Sequence, residues 1–266
     1  MGDISELIDD FGLVTEIATD LSMHFGRVNT NDRRKRLSTY FLAKLVHNCV
    51  SLLKILPKDD GEEIPYFDFS SIASLGRNII ESTNLCWYYC IDDVDKDESD
   101  FRFILFDYHD TCTLLSMSDS FKWELDTTTD LENEKLTLKK ALLECEQYKV
   151  QDSVTKKQLR QGRKASLYNQ KELIELRCID GDEFQGAYKL LSNHVHSTPN
   201  CVKSVVLSRL HGQEMDFVLC GLTLSYVCSF VAEMIKAVGN LWEMEFAKKD
   251  SEYLIESYSA QLYKVT

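Results

Sequence analysis

Proline and glycine are scarce, with three and eleven residues in a chain of 266. Sandwiches and barrels of short strands need turn residues at close intervals, so this shortage sets them aside. Glycine-rich phosphate loops, Gly-x-Ser-x-Gly elbows and His-Glu-x-x-His zinc helices are missing too. Their absence removes the commonest signatures of nucleotide-dependent, α/β-hydrolase and metalloprotease chemistry. The strongest apolar run, from Phe217 to Ala232, contains Thr223, Ser225 and Ser229. It falls short of the roughly 20 residues a bilayer span needs, so a buried core helix and no membrane are expected.

Positive charge is also in short supply. Lys and Arg total 30 against 43 Asp and Glu, a net charge of −13. The average surface therefore repels RNA and anionic lipid, and any RNA contact needs a local basic patch. The opening MGDISELIDDF has neither a basic n-region nor an apolar h-region, and the nine cysteines are an odd number scattered through apolar segments. Reduced thiols in a cytoplasmic protein are expected. Only Cys86 and Cys90 stand one helical turn apart, and no second ligand pair accompanies them. No metal and no cofactor are expected on that basis.

Apolar residues recur with a period near 3.6 through most of the chain, which predicts an all-α protein. Helices are expected over 4–25, 32–56, 68–92, 98–117, 130–148, 166–178, 182–196, 217–246 and 251–263. The reading is a multi-helix bundle of about nine helices in a single domain over 1–266, with a connector after Pro199 and a mobile segment over 149–164.

The stretch that organises the chain is Asp182 to His196. On its helix Tyr188, Ser192 and His196 recur every four residues and form a polar line beside Phe184, Ala187, Leu190, Leu191 and Val195. Buried polar groups need partners, and Arg77 and Glu81, also four apart, are the best suppliers upstream. A polar centre of Arg77, Glu81, Tyr188, Ser192 and His196 is expected. It serves either as a satisfied network that sets the register of two core helices or as a site of chemistry.

Two clusters interrupt the acidic surface. Arg33, Arg34, Lys35 and Arg36 open the second helix, against the unfavourable end of its dipole. Lys156, Lys157, Arg160, Arg163 and Lys164 follow Lys149. Each is read either as a solvated face or as a nucleic-acid contact.

Tyr188-x-x-Leu191-Ser192-x-x-x-His196, preceded by Arg77-x-x-x-Glu81, resembles an all-helical bacterial family of unknown function found in mobile and defence-associated neighbourhoods. The likeness covers roughly 70–199 and implies a helical bundle in which these polar residues converge. Arg102-x6-His109 bears a more distant likeness to HEPN domains, helical ribonucleases marked by Arg, a short spacer and His. Phe103 departs from the polar residue common after that Arg. The resemblance implies that His109 is general acid or base on a ribose 2′-hydroxyl and that Arg102 stabilises the phosphorane without a metal. It also implies a homodimer, since such sites form between two copies. Two functions follow: a metal-independent, HEPN-like RNA-cleaving toxin or effector in antiviral defence, or a non-catalytic helical adaptor or regulatory subunit with a protein partner.

Overall fold

The computed structural model describes residues 4–57, 67–123, 127–179, 181–196, 198–211, 214–244 and 249–263. Among these residues there is no strand, only an isolated antiparallel bridge between Ile179 and Tyr263. The protein is all-α. Twelve α-helices replace the nine expected: α1 (Ile4–Phe25), α2 (Arg33–Ile55), α3 (Phe69–Cys86), α4 (Lys96–Phe121), α5 (Thr128–Glu144), α6 (Glu146–Lys149), α7 (Ser153–Arg160), α8 (Gln170–Leu176), α9 (Gly181–Val195), α10 (Pro199–His211), α11 (Glu214–Leu241) and α12 (Lys249–Ala260).

The three additional helices have local causes. The stretch expected as one helix over 130–148 divides at Cys145, whose extended backbone (φ −65°, ψ 136°) separates α5 from α6. Within 149–164, Asp152 accepts from the backbone N–H groups of Val154 and Thr155 and so starts α7, whose Leu159 is fully buried. Pro199 does not simply end α9. It opens α10 as its first residue, a position where the missing N–H costs nothing.

Other boundaries follow the same chemistry. The side chains of Asp32, Asp68 and Asp95 accept from Lys35, Ser70 and Glu98 backbone N–H groups at the starts of α2, α3 and α4. A cap of this kind is worth about 1 kcal/mol. After α3 the backbone widens into a π-turn, Trp87–Ile91, and the Arg34 Nε donates to the Cys90 carbonyl at 2.7 Å.

The helices form two compact units. One holds the chain to Ile91 and again from Gln170; the other is Asp92–Asn169. In the first, α11 packs against α1, α3 and α12. Its Cys220, Leu224, Val227, Phe230, Val231 and Ile235 are fully buried, each large apolar side chain stabilising by roughly 1.5–3 kcal/mol. Gly76 sets the approach of α3 to α11, since a Cβ there would lie 2.8 Å from Thr223 Cγ2. α11 is the one helix among the described residues long and apolar enough to cross a membrane by composition, yet 61% of its apolar window is buried inside the protein. Such burial is the mark of a core helix.

In the second unit, Phe101, Leu105 and Tyr108 of α4 pack with Leu142, Tyr148 and Leu159 from α5, α6 and α7.

Candidate functional site

Of the five residues expected at the polar centre, three meet. Arg77 and Glu81 lie one turn apart on α3, with Nε donating to Oε1 at 2.7 Å. The Tyr188 hydroxyl on α9 donates to the same oxygen at 2.5 Å. The guanidinium also sits 5.2 Å from the centroid of the Tyr188 ring, within cation–π range. Burial, reinforced by Glu81, pushes the Tyr188 phenol up to about 12. The Glu81 carboxylate thus has a cation and a hydroxyl on one oxygen, and the knot ties α3 to α9.

Ser192 stays outside this knot: its hydroxyl donates to the Tyr188 carbonyl at 2.7 Å on its own helix. His196 lies exposed, just beyond the last residue of α9.

A different histidine is buried. His194 Nδ1 lies 3.3 Å from Ser70 Oγ, and its ring stands edge-on to Phe69 at 4.7 Å. Ser70 Oγ is also 3.5 Å from Cys201 Sγ. Burial lowers the His194 imidazole below its usual range, against the opposing pull of Asp216 and Asp68. Beside it is a cavity of about 40 Å³ lined in part by Asp68, Ser70, Ser208 and Asp216. That is room for about one water. Sequence reasoning passed over His194 because only helical phase and the end of α9 distinguish it from its neighbour two residues on.

Arg177 was missed as well. It is 6% exposed; its Nη1 donates to Asn84 Oδ1, its guanidinium lies 5.4 Å from the Phe230 ring centroid, and its Nε has no hydrogen-bond partner among the described residues. Burial lowers its pKa against the pull of Tyr263 and Glu233. Tyr263 in turn donates to Glu233 Oε1 at 2.7 Å. Nothing in the local sequence marks this arginine, because all of its partners are distant along the chain.

In the second unit, Arg102 and His109 share α4 and have separate partners. Arg102 is 4% exposed, with Nε donating to Glu98 Oε1 and Nη1 to Asp92 Oδ2, both at 2.8 Å. His109 Nδ1 lies 2.7 Å from the Gly162 carbonyl oxygen. Seven helical residues separate their Cα atoms by about 10 Å along the axis.

The basic clusters divide likewise. Arg34 donates to Cys90, Lys35 lies 3.6 Å from Glu243 and over the Trp242 ring, Arg33 is half-buried and Arg36 is exposed. Lys156 donates to the Lys149 carbonyl and Lys164 to the Leu167 carbonyl, while Lys157, Arg160 and Arg163 are exposed. Cys86 and Cys90 are buried side by side, and burial raises the Cys90 thiol further than the neighbouring Cys86 does. Among the described residues no group of three or more His, Cys, Asp and Glu could hold a metal.

A surface feature lies beside the His194 cavity. On α10, Val202, Val205, Val206, Leu207 and Leu210 are all exposed, Leu210 most at 70%, while Cys201 and Ser208 are buried. The Ser208 hydroxyl donates to Asp216 on α11. This helix turns its small residues inward and its aliphatic ones outward.

Compared with family models, curated proteins and solved structures, the chain matches none.

Proposed function

We propose that the chain is a non-catalytic, cytoplasmic helical adaptor that binds a protein partner through α10. The observation that carries this reading is the outward aliphatic stripe of Val202, Val206 and Leu210. Bulky apolar side chains held in water over buried serine and cysteine serve no packing purpose inside the chain, and contiguous exposed apolar surface marks an interaction site. The polar residues of α3 and α9 fit the same reading, because Arg77, Glu81 and Tyr188 satisfy one another. Nine unpaired thiols suit a reducing compartment. The test is photo-crosslinking in the protein's own cells, with p-benzoylphenylalanine at Val206 and, as a control, at exposed Tyr253 on α12. A discrete protein adduct at Val206 alone is expected; none at either position sinks the adaptor.

A second reading, metal-independent RNA cleavage in a toxin or antiviral setting, has one arrangement in its favour. Donation from His109 Nδ1 to the Gly162 carbonyl leaves Nε2 as the base. Exposed Arg160, the last residue of α7, and exposed Arg163 stand on either side of Gly162 in the chain. Those arginines are better placed than Arg102 to meet a phosphate, because Arg102 is held by Asp92 and Glu98. A homodimer belongs to this reading, since a second copy would double each group. Incubation of labelled RNA with wild type and folded His109→Ala in EDTA tests it. Cleavage lost only in the variant is the expected result, and an inactive wild type rejects the reading.

A further inference from the structure

We infer that the partner of α10 presents an apolar groove rimmed by acidic side chains, into which α10 docks as a helix. This inference rests on the adaptor reading and specifies the chemistry of its partner. Val202, Val206 and Leu210 stand one turn apart, so they form a straight ridge about 12 Å long. Ridges with this spacing are what a groove that accepts an amphipathic helix reads.

Charge selects the rim. Although the chain carries a net charge of −13, no acidic residue occurs between Glu183 and Glu214. Within that interval Lys203 and Arg209, both exposed, stand on either side of the ridge on α10, with exposed Leu207 and Val205 beyond them, and Arg209 also lines the cavity with Asp68 and Asp216. A groove edged by Asp and Glu pairs with both cations; a basic or neutral rim does not. Such rim charges mainly set partner choice and association rate.

The same charges disfavour the other occupants. In a second copy paired antiparallel about Val206, Lys203 faces Arg209. In a parallel pair each faces its own counterpart, so like charges meet either way. An anionic bilayer gains only about 1 kcal/mol per Lys or Arg near its surface. Here α10 brings two cations and no Trp, Tyr or Phe to anchor in the headgroup region, while the rest of the chain is repelled. A protein groove of complementary charge fits best.

The test uses the full-length chain with p-benzoylphenylalanine at Leu210, in wild type and in K203E/R209E, with folding checked by circular dichroism. Mass spectrometry then locates the adduct. Both cations are exposed but Arg209 also lines the cavity with Asp68 and Asp216, so only samples of K203E/R209E with wild-type circular dichroism are compared; K203R/R209K keeps the charge and serves as the second variant. The expected result is an adduct on an apolar segment with Asp or Glu within a turn on either side. Its yield should fall at least ten-fold in K203E/R209E and hold in K203R/R209K. An adduct on a protein segment without acids, or one indifferent to charge reversal, overturns the inference and leaves the adaptor standing. An adduct on a second copy or on lipid, or none, overturns both.

Discussion

The Tyr188 hydroxyl and the Arg77 guanidinium converge on one oxygen of Glu81, at 2.5 Å and 2.7 Å, and so join α9 to α3 through a single carboxylate. Tyr188→Phe removes one donor while leaving the ring over Arg77. We expect a loss of about 1–2 kcal/mol, the scale of a hydrogen bond to a charged acceptor that is partly exposed. Ser192→Ala, which loses only a bond to the Tyr188 backbone carbonyl, and His196→Ala leave the Glu81 contacts in place and should stay within about 0.5 kcal/mol of wild type. Urea denaturation followed by circular dichroism separates these outcomes.

Alkali should unfold the protein through its tyrosines. Burial holds Tyr108, Tyr188 and Tyr263 up at about 12, above the unfolded value of about 10. A folded pKa above the unfolded one contributes stability that is whole below about pH 10 and is lost as pH rises toward 12. Tyrosinate absorbance near 295 nm should therefore rise in step with loss of helix above pH 10. Tyr188→Phe should weaken that dependence, and titration of these phenols without unfolding would refute the assignment.

Arg102 is a buried cation of the second unit, paired with Asp92 and Glu98. Replacing it with Met leaves Asp92 and Glu98, each about one-fifth exposed, without their shared charge. Breaking a buried ion pair costs about 3–5 kcal/mol, and partial exposure places this case near about 3. Thermal unfolding should show the drop, with smaller losses for Asp92→Asn and Glu98→Gln. A neutral Arg102→Met would return the arginine to the list of groups held for function.

Gly162 cannot carry a side chain. Its φ is +65°, and a Cβ would stand 2.5 Å from Cys112 Sγ and 2.6 Å from Cys112 Cβ. Gly162→Ala should cost at least about 2 kcal/mol, combining left-handed backbone strain with the clash. Adding Cys112→Ala should not rescue it, since the Cβ of residue 112 remains. Because the Gly162 carbonyl meets His109, the NMR chemical shifts of the His109 ring should move in the same variant.

Among the nine thiols Cys178 is exposed, Cys112 and Cys145 are half-buried and the others are buried. Burial raises Cys49 and Cys220 to about 12. Since the thiolate is the reactive form, a disulfide reagent should modify Cys178 first in the native protein. Cys178→Ser should abolish that fast phase, and denaturant should release the buried thiols together.

The class of fold could be read from periodicity because most helices bury an apolar stripe. α1 begins and ends where the pattern does, at Ile4 and Phe25. α10 escaped because its bulky residues face outward, so no inward stripe marks it. α7 escaped because charge dominates its eight residues and one leucine anchors it. For the polar centre, four-residue spacing identified Tyr188, Glu81 and Arg77 as neighbours. It failed at His196 because α9 has already ended at Val195. Arg177 lay beyond local reasoning, since Asn84, Phe230 and Tyr263 reach it only through the fold.

The insertion of Asp92–Asn169 between two halves of the other unit has a consequence for synthesis. α1 and α3 leave the ribosome with faces that only α11 covers, and α11 begins at Glu214. Roughly 120 residues must be added in the interval, about 6–25 s at 5–20 residues per second. During that time α4 to α7 emerge complete and can fold on their own contacts. α1, α2 and α3 can pack on one another at once, but the sides of α1 and α3 that face α11 wait for this distant segment, and there a chaperone has the longest opportunity to act.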